Sequence, residues 1–174
     1  MSTQTTPAPR THAIRMWLSE REEQALQADP RLDGLHGRER TAAIAARLER
    51  QPDHRALLEP ARALLTRFEE QGEGVKHQAS AAGYGRGQRS GRRSGDWDGT
   101  TFQVRSRPHQ VMVSASTAEA IREEAEVLGL PVAVLARCLV LGRGVIDVQH
   151  DRSAAWHREW LSELVSRLER EVGR

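Results

Sequence analysis

The stretch QVMVSASTAEAIREEAEVLGLP, residues 110–131, alternates before it turns helical. Val111 and Val113 fall on one parity, and Gln110, Met112 and Ser114 on the other, which is the period of a strand. The spacing predicts a strand over 109–114 and a helix from Thr117 to Leu128, stopped by Gly129 in a left-handed conformation. Pro131 suits the first position of a following helix, PVAVLARCLVLGRG, which is apolar on nearly every side and therefore expected to be buried all round. So short a strand cannot stand alone, because its backbone N–H and C=O groups need partners.

A partner lies about 97 residues earlier. In AIRMWLS, Ile14, Met16 and Leu18 alternate with Ala13, Arg15 and Trp17. Ser19 then caps a helix, SEREEQALQA, with Glu22 three residues on as a capping box; the helix ends near Asp29-Pro30, since a residue before proline avoids helical angles. After the turn RLDGLHG comes a second helix over Arg38–Arg50. The chain thus holds two β-α-α copies, with Ile44 and Leu48 corresponding to Leu135 and Leu139. Antiparallel pairing of the two strands would put Ile14, Met16, Leu18, Val111 and Val113 over the helices. Ala13, Arg15, Trp17, Gln110, Met112 and Ser114 would face outward.

Strand, helix, glycine turn and helix resemble the ribbon-helix-helix DNA-binding family of the Arc, MetJ and CopG type. The likeness rests on V-x-V-S, Ile121, Ala125 and G-L-P in the second copy, and on the strand and GRERTAAI in the first. It covers roughly 12–50 and 109–145, and the insertion ADPRLDGLH departs from it by leaving the first helix short. Two copies in one polypeptide look like the tandem, single-chain proteins of T-DNA and plasmid transfer. The resemblance implies a mainly α fold with a short two-stranded antiparallel ribbon, a tandem pseudo-dimer with extra helices. It also implies double-stranded DNA as partner, with Arg15, Trp17, Gln110, Met112 and Ser114 reading bases. Phosphates would sit at the second-helix N-termini, near Arg38, Arg40 and Thr41 in one copy and Val132 in the other. The expected role is a plasmid-transfer (relaxosome) accessory factor or a transcriptional regulator. The alternative is an antitoxin-like or assembly protein whose extra helices bind a protein partner. A relaxase at the C-terminal helix is one such partner, and higher oligomers are open.

The rest of the chain frames this core. Residues 1–11 are expected to be a flexible arm, 12–50 and 102–148 the two halves, 51–72 and 149–174 amphipathic helices, and 73–101 a flexible linker. The helix after 51 carries Leu57, Leu58, Ala61, Leu64, Leu65 and Phe68 on one side, with Pro60 kinking it or starting its main part. The last helix places Trp156, Trp160, Leu164, Leu168 and Val172 at four-residue steps. The linker is rich in Gly, Ser and Arg, and Arg86, Arg89, Arg92 and Arg93 are expected to give non-specific nucleic-acid contact that weakens with salt.

Composition fits a cytoplasmic, bacterial protein. Of 174 residues 38% are hydrophobic and 29% charged, enough to build a core. Net charge is only +2, and all the cations but Lys76 are arginines, which fork to phosphates and guanine edges. A lone cysteine, Cys138, makes no internal disulfide and suits a buried position. No run is long and apolar enough to span a membrane. No nucleophile elbow, phosphate loop or HExxH motif occurs, so no catalytic residue, cofactor or metal is assigned. Glu22-Glu23 and Glu123-Glu124 are expected on solvated helix faces.

Overall fold

In a computed structural model, which describes residues 6–81, 95–97, 102–149 and 152–174, the alternating stretch HAIRMWL forms strand β1, His12–Leu18. Helix α1, Glu20–Gln27, begins at Ser19 with the full capping box: the Ser19 hydroxyl accepts from the Glu22 N–H, and the Glu22 carboxylate accepts from the Ser19 N–H. A single 3₁₀ turn over Pro30–Leu32 leads to α2, Gly37–Leu48. Then come α3, His54–Gln71, and α4, Glu73–Ala81. Strands β2, Gly95–Trp97, and β3, Phe102–Val104, form a small antiparallel pair. Strand β4, Arg107–Val113, is followed by α5, Ala115–Leu128, α6, Val132–Leu141, and α7, Ala154–Val172. The chain is mainly helical, and among the described residues no helix is long and apolar enough to cross a membrane.

The distant strands do pair. β1 and β4 run antiparallel from His12 opposite Val113 to Leu18 opposite Arg107. Ile14, Met16, Leu18, Val111 and Val113 are buried, as their parity predicts. They rest on α2 and α6, which also touch each other. β4 is displaced from its predicted span of 109–114, and α5 starts two residues before Thr117. The cause is Ser114, whose hydroxyl accepts from the Thr117 N–H at 3.2 Å and so ends the strand by capping the helix. Gly129 takes φ +70°, and Leu130 N–H closes the turn on the Ala125 carbonyl at 2.8 Å. Pro131 is the cap residue of α6 rather than its first helical residue.

α6 is not wholly apolar inside, since the side chain of Arg137 is buried with partners described below. Cys138 is a core thiol: its Sγ donates to the Val145 carbonyl and accepts from the Val145 N–H, both at 3.3 Å. Burial pushes this thiol up to about 11, so it is inert at neutral pH.

The extra helices form a second layer, α3 against α7. α3 buries Leu57, Leu58, Ala61, Leu64 and Phe68, the predicted face, with Leu65 at its margin. Pro60 lies inside α3 and has no N–H to give the Ala56 carbonyl. Gly144 backs onto that same oxygen so closely that a Cβ would overlap it. On α7 the buried stripe is Ala154, His157, Leu161, Leu164 and Leu168. The four-residue row predicted from Trp156 drifts by about 40° per step around a helix, so its two tryptophans end at the margin, stacked on each other at 5.3 Å. His157 takes the interior place and stacks on Phe68 at 4.4 Å; its Nε2 accepts from the Gln149 N–H.

The linker predicted over 73–101 is shorter than expected at both ends. α4 takes its start, because Val75 is buried and Glu73 accepts from the Ala154 N–H at 2.8 Å, tying this turn to the head of α7. Gly95–Trp97 takes its end by pairing with Phe102–Val104. Arg86, Arg89, Arg92 and Arg93, and residues 1–5 of the predicted arm, lie outside the described residues.

Candidate nucleic-acid interface

The outer face of the β1–β4 ribbon carries Ala13, Arg15 and Trp17 from one strand and Pro108, Gln110 and Met112 from the other. None is acidic, and among the described residues no helix covers them: Ala13, Arg15, Pro108 and Gln110 are exposed, Trp17 and Met112 half-buried. Arg15 stands directly opposite Gln110, and its Nε donates to Gln110 Oε1 at 3.2 Å. That bond engages Nε alone, so the two terminal nitrogens of Arg15 make no hydrogen bond among the described residues, and Gln110 Nε2 lies 3.6 Å from the Met112 sulfur. The paired Arg and Gln therefore present a planar fork and an amide side by side, the two groups best shaped for guanine and adenine edges in the major groove. Trp17, opposite Pro108, borders this pair.

Four of the five residues predicted to read bases thus share one surface. Ser114 does not join them. It lies beyond the last ribbon pair, with its hydroxyl held by the Thr117 N–H and within 2.9 Å of Thr117 Oγ1 and 3.1 Å of Ser116 Oγ.

The predicted phosphate groups divide in the same way. α2 begins after His36 with no side chain capping its first amides, and Arg38 is exposed there. Thr41 Oγ1 donates to the Gly37 carbonyl at 3.0 Å. Arg40 points elsewhere: its guanidinium donates to the carbonyls of Leu26 at 3.0 Å and Leu32 at 3.2 Å, closing the end of α1. In its place Arg10, assigned by sequence to the arm, joins Arg38, Thr41 and Gly37 around an open depression. At α6, Val132 is half-buried and no side chain caps the helix, so backbone amides are what this end presents.

Beneath the ribbon lies an ionic cluster that sequence reasoning missed. Arg105, fully buried, holds both carboxylate oxygens of Glu22, at 2.8 to 3.1 Å, and Asp147 at 2.5 Å. Arg137 reaches the same Asp147 oxygen at 2.7 Å and donates its Nε to the Trp17 carbonyl at 3.0 Å. Burial pulls the Arg137 guanidinium below its ordinary value and Asp147 opposes that, while Arg105 adds to the fall. The cluster fixes the Trp17 end of β1 from below. Glu22 is therefore not on a solvated face as predicted: the capping box buries its carboxylate and Arg105 balances the charge. Its neighbour Glu23 is half-buried rather than fully solvated, with His109 at 3.3 Å and Arg107 at 3.6 Å. Glu124 is partly shielded and accepts from or pairs with His54 at 2.8 Å.

Among the described residues, no group of three His, Cys, Asp or Glu side chains is placed to hold a metal ion. In comparisons with known proteins, no family model, no curated protein and no solved structure matches this chain.

Proposed function

We propose that this protein binds double-stranded DNA sequence-specifically by laying the β1–β4 ribbon in the major groove. The observation that carries this reading is the acid-free outer face with Arg15 and Gln110 paired at its centre, held from below by a buried core and exposed among the described residues. The two β-α-α halves act as a pseudo-dimer within one chain, so the ribbon is complete without a second copy. Arg10 and Arg38 at the head of α2 and the backbone amides at the head of α6 would receive the flanking phosphates. The two strands offer different side chains outward, Arg15 and Trp17 against Gln110 and Met112, so the target is not a palindrome. Such a protein serves as a plasmid-transfer accessory factor or a transcriptional regulator.

The test is selection from a random duplex pool, followed by anisotropy titrations of the selected site. Arg15→Ala and Gln110→Ala should each weaken the selected duplex by roughly 1–3 kcal/mol and relax preference at one position. Arg38→Ala should weaken all duplexes alike and lower the salt dependence. Equal affinity of both ribbon variants for every duplex would exclude readout by this face, and a twofold-symmetric selected site would exclude the asymmetry.

A second reading has its own observation. Trp156 and Trp160 stack at the margin of α7 with Arg152 5.1 Å from the Trp156 ring, a feature suited to a protein partner. Trp156→Ala that abolishes co-purification of a partner while sparing DNA affinity would favour it.

A further inference from the structure

On the flank formed by the C-terminal ends of α2 and α6 and the 49–53 connection, the molecule has two adjoining hollows, of about 200 and about 300 Å³. They share a wall made by Arg50, Gln51, Pro52 and Leu139. The smaller is floored by Leu48, Ile121 and Leu135, all buried core residues. The larger runs over Cys138 and Leu57 to Gly142, and is ringed by Arg31, Arg47, Arg50 and Arg143.

The charges of that ring are unequally satisfied. Arg47 is neutralised by Asp29 at 2.7 Å and anchored on the Val140 carbonyl, and Arg31 also reaches Asp29. The acid in the lining of the larger hollow, Asp53, has turned its carboxylate to the amides of Arg55 and Ala56 at the head of α3. Arg50 and Arg143 are exposed at the mouth and form no ion pair or side-chain hydrogen bond among the described residues. Gly142, at φ +66°, keeps the wall low under Arg31, whose Nη2 would stand 3.3 Å from a Cβ there. An apolar floor thus leads to two uncompensated guanidiniums, while Glu124, an acid lining the smaller hollow, is engaged by His54 at 2.8 Å. Pockets of this size and make-up hold small molecules with an apolar body and one polar head.

We infer that this cleft is a binding site for a small organic anion. Its apolar body lies over Leu135 and Leu139, and its carboxylate or phosphate head sits between Arg50 and Arg143. Charge-assisted forks from arginine suit either head group. The site shares no residue with the outer face of the ribbon, so it stands or falls independently of DNA binding.

The test is calorimetric titration of the full chain, without DNA, with hexyl phosphate, hexanoate, hexanol and inorganic phosphate. At least one hexyl anion should bind saturably, roughly tenfold or more tighter than both hexanol and inorganic phosphate. Whichever of the two anions binds tighter identifies the head group. Reversing both exposed arginines, Arg50→Glu with Arg143→Glu, should lower anion affinity by roughly tenfold or more and leave hexanol unchanged. Leu139→Trp, which fills the shared wall, should abolish binding; the arginine variants keep the test intact if that variant fails to fold. Inorganic phosphate binding as tightly as hexyl phosphate, no binding of either hexyl anion, or anion binding indifferent to the arginine reversal would each overturn the proposal.

Discussion

The two β-α-α halves share an order of elements but are closed by different forces. In the second half, α5 passes to α6 through Gly129 and Leu130, and α6 then buries Val134, Leu135, Ala136, Cys138 and Val140. In the first half α1 has 8 residues against 14 in α5, and the inserted Ala28–His36 segment must be tied down. Two arginines do this: Arg40 holds the carbonyls of Leu26 and Leu32, and Arg47 joins Asp29 to the Val140 carbonyl of the other half. A longer turn exposes helix-end carbonyls that need donors, and the guanidinium supplies several from one side chain. The same order can therefore be sealed by apolar burial or by arginine–carbonyl clips, and the choice follows the length of the turn.

The two halves meet at a buried, charged seam. Glu22 belongs to the first half, and Arg105, Arg137 and Asp147 to the second. Arg105→Met should cost about 3–5 kcal/mol in urea unfolding, because it leaves two buried carboxylates short of a cation. Replacing the exposed Arg15 by Met should change stability by less than about 0.5 kcal/mol. A small loss for Arg105→Met would mean that apolar contacts alone hold the halves together.

Leu135→Ala removes a fully buried side chain from α6 and should cost about 2–5 kcal/mol. Arg40→Met in the first half takes the donors from two part-buried carbonyls and should cost about 1–2 kcal/mol. The reverse order in measured unfolding free energies would show that the clips, not the core, dominate.

These same contrasts explain how far sequence reached. Ribbon parity was legible because period-two alternation states directly which side chains are buried, and both strands carry it cleanly. The capping box and Gly129 were legible because each follows from a local backbone need. The ionic cluster was not. Glu22 looks like a solvated helix residue until Arg105, 83 residues away, is folded onto it. Arg40 was assigned to phosphate for a related reason: its place near a helix start is local, but the carbonyls it meets belong to a turn whose path no pattern gives. Ser114 kept outward parity, yet the competing demand of α5 for a cap took its hydroxyl. His157 displaced the tryptophans from the interior of α7 because four-residue steps drift, and its partner Phe68 lies on a helix distant in sequence.

The smallest effect tests the first-half clip by pH. Burial alone would raise the Asp29 carboxyl, but the Arg31 N–H and the Arg47 and Arg31 guanidiniums outweigh it and bring it from 3.8 down to about 2. A carboxyl lowered in the folded state stabilises fully above its unfolded value and loses that contribution as pH falls through its folded value. The window is therefore roughly pH 4 to 2, and the contribution is about 1 kcal/mol, discounted because solvent screens the pair. Asp29→Asn keeps a group able to accept from the Arg31 N–H while removing the charge that Arg47 faces. The gap in urea stability between the two proteins should be constant from pH 7 to 5 and close as pH approaches 2. A gap that persists unchanged at pH 2 would show that Asp29 acts through shape and hydrogen bonding alone, so that the clip on Arg47 does not depend on charge.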